Sequence, residues 1–268
     1  MSNVRLYAHA AQSLLREWSL KGVSGLVGGS AVERRRPAAL RDALREFDAD
    51  TVVVYAGLSD VAAAFGGDPY ERLRDALVAE FDAVLTPGFT FSFRRTGIVD
   101  LDRALPETGT FGRRFLADAA FRTDDPVFSL LGAGDFAFAT DGTDRSYGPD
   151  GYWAELHDRD VLYLNVGTGR FRCSAFHLAE VRHRVPYVSE TELSGLVKRN
   201  GDVRRVAHRI PTDDRYRRFA RRKVRADLGD ALTDASVGDV RIQGCRASDV
   251  DALLDDRLSE DEYYLVSR

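Results

Sequence analysis

The chain contains the run Thr51-Val52-Val53-Val54-Tyr55, in which every side chain is β-branched or aromatic. A continuous run of this kind is typical of a strand that is buried on both faces. Two more short apolar runs follow at 83–86 and 161–166, and apolar side chains recur at helical spacing over 4–18, 38–47 and 69–81. This alternation predicts a mixed α/β domain with a largely parallel central sheet flanked by helices.

Shorter elements are predicted towards the end of the chain. Asn200-Gly201 is a strong signal for a hairpin turn around 198–202. We also expect a basic helix over 213–228 and a terminal strand over 263–266. Because apolar and periodic segments continue to the end, the sequence predicts a single domain over residues 1–268.

Length and composition limit the class of protein. The 268 residues, 44% of them apolar, suffice for one large core or two modest ones. A net charge of −4 argues against nucleic acid as the main partner. No run approaches the ~20 apolar residues of a membrane helix, and no apolar block follows the N-terminus, so we expect no membrane partner and a cytoplasmic protein. The sequence leaves the oligomeric state open.

The block Ser174-Ala175-Phe176-His177-Leu178-Ala179-Glu180 carries the most informative chemistry. A hydroxyl, an imidazole and a carboxylate recur three residues apart, which places them on one side of a helix. Imidazole has a free pKa of ~6.5, so a histidine oriented by a carboxylate is suited to act as a general base. Ser174 has two readings: a group that stabilises developing charge, or a plain helix N-cap.

Ligands of α/β sheets bind beyond the carboxyl ends of parallel strands. That rule indicates the loops after Tyr55, Thr86 and Val166 as the walls of a site. The block that contains His177 follows the third of these loops.

Several loop motifs occur in an order that resembles the aminoglycoside 3-N-acetyltransferase family. They are Thr86-Pro87-Gly88-Phe89-Thr90 with Phe91-Ser92-Phe93, Pro106-Glu107-Thr108-Gly109-Thr110-Phe111, Asp125-Pro126-Val127-Phe128-Ser129, Tyr147-Gly148-Pro149-Asp150-Gly151 and the Ser174–Glu180 block. The resemblance implies the α/β architecture of that family. It also implies direct transfer of an acetyl group from acetyl-CoA, as co-substrate, to an amine of an aminoglycoside antibiotic or related amino sugar, without a metal ion.

The resemblance also implies roles for individual residues. His177 would be the base, Glu180 would orient it, and Ser174 would steady the developing charge. Acetyl-CoA would enter between the loops after Tyr55 and Thr86, and the residues expected to contact it are Tyr55, Gly57, Ser59, Thr90 and Ser129. The amine would approach near Tyr147-Gly148-Pro149-Asp150, where a polyamine would meet nearby carboxylates: Asp60, Asp124, Asp125, Asp150 and Glu155.

The chain departs from the family pattern in two loops. Members usually carry His-Ser-Ser-Leu where this chain has Tyr55-Ala56-Gly57-Leu58, and often His-Pro-x-His-Ser where it has Asp125-Pro126-Val127-Phe128-Ser129. Two alternatives therefore stand beside the aminoglycoside hypothesis. One is an enzyme acting on an amine of a polysaccharide or secondary metabolite, and the other is a non-catalytic descendant that binds a small molecule.

Other kinds of site find less support. His177, Glu180 and His183 have the wrong spacing for a zinc-protease helix, and Gly167-Thr168-Gly169 lacks the third glycine of a dinucleotide fingerprint. Cys173 could be a nucleophile, although cysteine is more often buried filler. A basic cluster could meet CoA phosphates or form a solvated helix face; it comprises Arg215, Arg217, Arg218, Arg221, Arg222, Lys223 and Arg225.

Overall fold

The computed structural model describes residues 35–213 and 219–266. Nine helices are placed in these ranges: α1 Pro37–Leu44, α2 Leu58–Phe65, α3 Pro69–Glu80, α4 Ser92–Thr96, α5 Thr110–Phe115, α6 Tyr152–Asp158, α7 Ala175–Arg182, α8 Arg221–Leu228 and α9 Ala247–Glu260. The strands in the same ranges are β1 Thr51–Ala56, β2 Ala83–Pro87, β3 Ile98–Asp100, β4 Phe121–Arg122, β5 Leu130–Gly134, β6 Leu162–Val166, β7 Val188–Arg199, β8 Asp202–Asp213, β9 Thr233–Val237 and β10 Val240–Arg246.

The main sheet has seven strands in the order β4-β5-β2-β1-β6-β10-β9. β1 pairs in parallel with both β2 and β6, and the outer pairs are antiparallel. The mixed α/β architecture predicted from the sequence is confirmed. Within this sheet, parallel pairing is confined to the three central strands, which are the three apolar runs noted above.

The central strands are buried on both faces. Val53 belongs to the apolar cluster on one face of the sheet, whereas Val52 and Val54 belong to the cluster on the other. Side chains alternate between the faces of a strand, so both clusters need apolar residues at successive positions of β1. This double burial explains why the run 51–55 is continuously apolar.

A second sheet, β3-β7-β8, contains the predicted hairpin. Its two long strands pair from Val188↔Asp213 to Arg199↔Asp202. The turn residues Asn200 and Gly201 both have positive φ, 50° and 82°. Positive φ at both positions is the mark of a type I′ turn, whose twist matches that of the strands.

Two predicted elements differ from the structure. Residues 263–266 form turns with one bridge, Phe219↔Val266, rather than a strand. Tyr264 and Leu265 are both buried, which the alternating faces of a half-buried strand do not allow. The helix expected over 213–228 begins only at Arg221, since β8 continues to Asp213.

Some expectations lie outside the described residues. These are the helix over 4–18 and three members of the basic cluster, Arg215, Arg217 and Arg218. Among the helices of the described ranges, none has the length and apolar character needed to cross a membrane.

The loops after β1 and β6 touch at a pair of glycines. A Cβ on Gly57 would lie 2.3 Å from the carbonyl oxygen of Gly167, and a Cβ on Gly167 would lie 2.5 Å from that of Gly57. Gly167 also has a φ of 60°, which glycine adopts without strain. Because each loop fits only against a glycine of the other, their relative position is fixed.

We expect Gly57→Ala to lower the free energy of unfolding by about 1–3 kcal/mol, because the new methyl group meets backbone rather than a movable side chain. Gly169→Ala is the matched control, since a Cβ there has nothing within 4 Å. Its stability should be unchanged or raised by up to about 1 kcal/mol. Chemical denaturation of both variants tests the prediction, and equal losses for the two would contradict it.

Candidate active site

His177 and Glu180 form the central pair of the site. Both lie on α7, where a three-residue step brings the imidazole Nδ1 to 3.1 Å from Glu180 Oε2. The Glu180 side chain is fully buried, whereas 27% of the His177 side chain is exposed. When the carboxylate of Glu180 accepts from Nδ1–H, the other ring nitrogen of a neutral imidazole, Nε2, carries the lone pair.

Aromatic rings surround this imidazole. Tyr147 lies 5.2 Å from the His177 ring, Phe219 lies 5.2 Å away edge-on, and Phe128 lies 6.3 Å away, measured between centroids. Such rings exclude water from the sides of the imidazole and limit its rotation. The histidine is therefore held by packing as well as by Glu180.

Ser174 is anchored by a tyrosine from the neighbouring strand. The Tyr55 hydroxyl donates to Ser174 Oγ at 2.7 Å and accepts from the Ser174 backbone N–H at 2.9 Å. Ser174 occupies the N-cap position of α7, yet its side chain makes no capping hydrogen bond. The capping interpretation is therefore wrong. Ser174 Oγ accepts from Tyr55, and the Ser174 hydroxyl also acts on Tyr147, whose pKa it lowers.

Burial keeps the other acidic hydroxyl and thiol groups here neutral. Desolvation raises the pKa of Tyr147 well above its ordinary value, the negative charge of Asp125 adds to the rise, and a hydrogen bond from Ser174 opposes it. Desolvation also raises the pKa of the Cys173 thiol well above its ordinary value. A thiol of this kind forms little thiolate at neutral pH, which disfavours Cys173 as a nucleophile.

The residues expected to contact CoA differ in burial: one is exposed at the surface of the protein, and others lie in its interior. Gly57 and the exposed Ser59 lie at the start of α2, beside the loop that follows β6. Thr90 is buried, with its hydroxyl 3.4 Å from Glu107 Oε1. Ser129 is fully buried and donates to the Gly88 carbonyl at 2.9 Å. Of these residues, only Tyr55 is hydrogen-bonded to a residue of the block that contains His177, namely Ser174.

Most carboxylates expected to meet a polyamine already have partners. Asp124 accepts from the Tyr152 hydroxyl at 2.5 Å and pairs with Arg204. Glu155 accepts from two backbone N–H groups, those of residues 139 and 140, and pairs with Arg159. Asp150 is exposed, and Asp60 is exposed near Gly167. The site is thus less acidic than its sequence indicates.

Asp125 has a structural task that the sequence does not reveal. One oxygen accepts from the N–H groups of Val127 and Phe128, at 2.8 and 2.7 Å. The other accepts from the Ser146 hydroxyl at 2.5 Å and lies 3.4 Å from Nε2 of the buried His208 on β8. This network joins the long hairpin to the loop whose Phe128 ring faces His177.

The charge of Asp125 makes the network sensitive to acid. Burial raises its pKa, but the hydrogen bonds from His208, Ser146 and Phe128 more than offset this, so the pKa lies below its ordinary value. A depressed pKa stabilises the fold above the pKa of the unfolded state, about 3.9 for aspartate, and this stabilisation is lost as the pH falls through the folded-state value.

We expect Asp125→Asn to be less stable than the native protein by about 1–3 kcal/mol at pH 7, because a charged acceptor of buried hydrogen bonds is lost. The difference should shrink as the pH is lowered below about 4, where the unfolded aspartate is protonated. Denaturant unfolding at a series of pH values measures it. Asp150→Asn, at an exposed position, serves as the control, and a difference that is constant with pH would contradict the assignment.

In residues 35–213 and 219–266, no group of three or more histidine, cysteine, aspartate or glutamate side chains is arranged to hold a metal ion. His183, the second histidine of the His-x-x-Glu-x-x-His string, instead contacts Asp255 at 2.7 Å.

The chain matches a known protein family over more than half of its length. A family model described as aminoglycoside 3-N-acetyltransferase matches residues 109–259, which include Asp125, Tyr147 and the block that contains His177. The chain belongs to this family. It is therefore an acyltransferase of the aminoglycoside 3-N-acetyltransferase type, and the resemblance drawn from its loop motifs is confirmed. Among curated protein sequences, no match is found.

Solved structures of aminoglycoside acetyltransferases share the fold. Sisomicin-bound AAC-VIa superposes with a TM-score of 0.69 at 19% identity, covering 85% of this chain and 98% of that one. The AAC-IIIb binary complex with CoASH gives 0.69 at 16% identity, with coverage of 85% and 97%. The apoenzyme of AAC(3)-IVa gives 0.65 at 18% identity, with coverage of 89% and 94%. At these identities the likeness concerns the fold, and the chain is a divergent member.

Proposed function

We propose that this protein transfers an acetyl group from acetyl-CoA directly to an amine of an aminoglycoside or related amino sugar, with His177 as the general base. The single observation that carries the proposal is the partly exposed imidazole of His177, held through Nδ1 by the fully buried Glu180. The family match supports the reaction class. The proposal treats residues 1–268 as one acetyltransferase-like domain.

The base has a defined part in this reaction. An amine attacks a thioester carbonyl through its lone pair, so a proton must leave the nitrogen. Nε2 of His177 takes that proton as the new N–C bond forms. Glu180 at Nδ1 favours the imidazolium while it exists. The imidazolium then returns the proton to the sulfur as the C–S bond breaks, which gives the amide and CoA and leaves the enzyme unchanged.

In this proposal, Ser174 stabilises the tetrahedral intermediate. Its Oγ accepts from Tyr55, and its hydroxyl hydrogen turns from Tyr147 to the carbonyl oxygen as negative charge develops there. Tyr55 fixes the position of this donor through two hydrogen bonds. In this proposal Tyr55 is a positioning residue at the position where relatives usually carry histidine.

The donor and acceptor would approach from different sides. AAC-IIIb has been solved with CoASH and AAC-VIa with sisomicin. For this chain we propose acetyl-CoA between the loops after β1 and β2, with Tyr55, Gly57, Ser59, Thr90 and Ser129 near its path. The amine would enter beside the aromatic rings of Tyr147 and Phe128.

The test is acceptor-dependent release of CoA thiol by the full chain, measured with aminoglycosides, amino sugars and simple amines, together with calorimetric titration of CoA. We expect CoA binding and amine-dependent thiol release. Mass spectrometry after incubation with acetyl-CoA alone should show unmodified protein, since transfer is direct. A stable acetyl-enzyme would contradict direct transfer, and absence of CoA binding would favour the non-catalytic descendant.

A further inference from the structure

Phenylalanine rings form a row beside the proposed base. Between ring centroids, Phe219 lies 5.2 Å from the His177 imidazole and Phe128 lies 6.3 Å from it. Phe91 extends the row, since its ring meets that of Phe128 edge-on at 6.3 Å. We define Phe91, Phe128 and Phe219 as the aromatic wall. Phe91 and Phe219 are half-buried, so part of each residue is open to solvent, as is part of the imidazole.

A carboxylate held against the aromatic wall is neutralised by an arginine. Glu107 Oε1 accepts from the Phe91 backbone N–H at 2.7 Å, which fixes this carboxylate beside the wall. Arg95 donates to each oxygen of Glu107 at 2.8 Å. The hydrogen bonds from Arg95 are the main reason why the pKa of Glu107 falls to about 2. The carboxylate is thus charged, but a bidentate guanidinium occupies the positions that an ammonium group would need.

The other acidic groups expected to attract a polyamine are also engaged or are weakened by solvent. Asp124 pairs with Arg204 and accepts from the Tyr152 hydroxyl, and Asp125 is tied into its buried network. Asp150 is exposed, where water and salt weaken an ion pair. An ammonium group that loses its hydration without gaining a carboxylate is strongly disfavoured. Ring faces can offset this cost for one cation, but not for several.

We propose that the preferred acceptor is an amino sugar with a single amine, whose apolar C–H face lies against the aromatic wall, rather than a polycationic aminoglycoside. The rings supply apolar contact area for such a face. Desolvation beside them also favours the neutral amine, which is the form that attacks a thioester. Arg95 determines specificity, because it occupies the carboxylate that a second ammonium would bind. This inference rests on the proposed function for the reaction and for the base.

The first test compares acceptors with the native full chain. Release of CoA thiol gives kcat/KM for glucosamine, for phenyl glucosaminide, which adds a ring to the same amine, and for sisomicin, which carries several amines. We expect kcat/KM to be highest for phenyl glucosaminide and at least about 10-fold lower for sisomicin, because each unpaired ammonium is disfavoured beside the wall. A higher kcat/KM for sisomicin than for both amino sugars would overturn the inference.

The second test releases the carboxylate beside the wall. Arg95→Gln frees Glu107 from its ion pair and should raise kcat/KM for sisomicin by about 10-fold, the effect of one charge-assisted hydrogen bond. The value for glucosamine should stay within about two-fold. Arg45→Gln is the matched control, because Arg45 pairs with Glu80 and its side chain is 56% exposed, as is that of Arg95. Arg45 follows α1, which packs on the other face of the main sheet, so all three acceptors should react as with native protein.

The third test removes a ring of the aromatic wall without removing its apolar volume. Phe91→Leu should lower kcat/KM for phenyl glucosaminide by about 5-fold, mainly through KM, and should change the value for sisomicin less. Phe91→Tyr keeps the ring and should restore most of the loss. A uniform fall for all acceptors in Phe91→Leu would show a structural role only and would contradict stacking of the acceptor.

The two proposals fail in different ways. Thiol release with sisomicin as the best acceptor, unchanged in Arg95→Gln, leaves the proposed function intact and removes the specificity. Absence of thiol release with every amine removes the proposed function. In that case, calorimetric binding of phenyl glucosaminide that is weakened in Phe91→Leu would still establish the aromatic wall as a sugar-binding surface.

Discussion

His177→Ala should lower kcat for acetyl transfer by about 10²–10⁴-fold, the usual range for loss of a positioned general base. The ring of His177 is partly exposed and lies against Tyr147, Phe128 and Phe219, so truncation removes the proton acceptor without opening the core. CoA affinity should stay within a few-fold of the native value. Steady-state assays of thiol release and calorimetry with CoA measure the two effects separately.

Two further variants test whether the loss of activity is specific to the imidazole of His177. His183→Ala removes the other histidine of the same helix region, which contacts Asp255, and should leave kcat unchanged. Glu180→Gln keeps a hydrogen-bond acceptor near Nδ1 but removes the charge, so kcat should fall by an intermediate amount. A His177→Ala enzyme with full activity would refute the assignment of the base.

Trp153→Ala should lower the free energy of unfolding by about 3–5 kcal/mol, the range for a fully buried tryptophan. Trp153 is 1% exposed, stacks 5.4 Å from Tyr147 and donates from Nε1 to the Phe128 carbonyl at 3.1 Å. The substitution therefore leaves a cavity and an unsatisfied carbonyl directly behind two rings that face His177. Denaturant unfolding followed by circular dichroism gives the loss.

Tyr263→Ala is the matched control for this loss, because Tyr263 is a large aromatic side chain that is 40% exposed. Its truncation should cost about 1 kcal/mol or less, since most of the cavity term is absent. We also expect Trp153→Ala to lose part of its activity at temperatures where it remains folded, because Tyr147 and Phe128 lose their support. Similar losses of stability for both variants would show that burial behind the site is not the cause.

The strands at the centre of the fold could be predicted because their signal is local. The runs at 51–55, 83–86 and 161–166 are apolar whatever their partners, and Asn200-Gly201 specifies its own turn. The terminal strand was predicted wrongly for a related reason. Tyr264 and Leu265 are apolar because both contact the core, and a four-residue run does not distinguish a buried turn from a strand.

In the candidate site, too, local features could be predicted from the sequence, whereas contacts between distant residues could not. His177 and Glu180 could be recognised because a three-residue helical step is visible in the sequence. The bond from Tyr55 to Ser174 joins residues 119 positions apart, and the bond between Ser146 and His208 spans 62. Nothing local to either partner specifies such contacts.

The buried link from Asp125 through Ser146 to His208 sets a lower limit on the size of any shortened version of this enzyme. Deleting the hairpin would leave the buried carboxylate of Asp125 without the imidazole of His208. Asp125 would then favour its protonated form, although the N–H groups of Val127 and Phe128 depend on it as their acceptor. The hairpin thus supports the loop that faces His177 through His208, and a trimmed protein intended to keep acetyl transfer must retain residues 188–213.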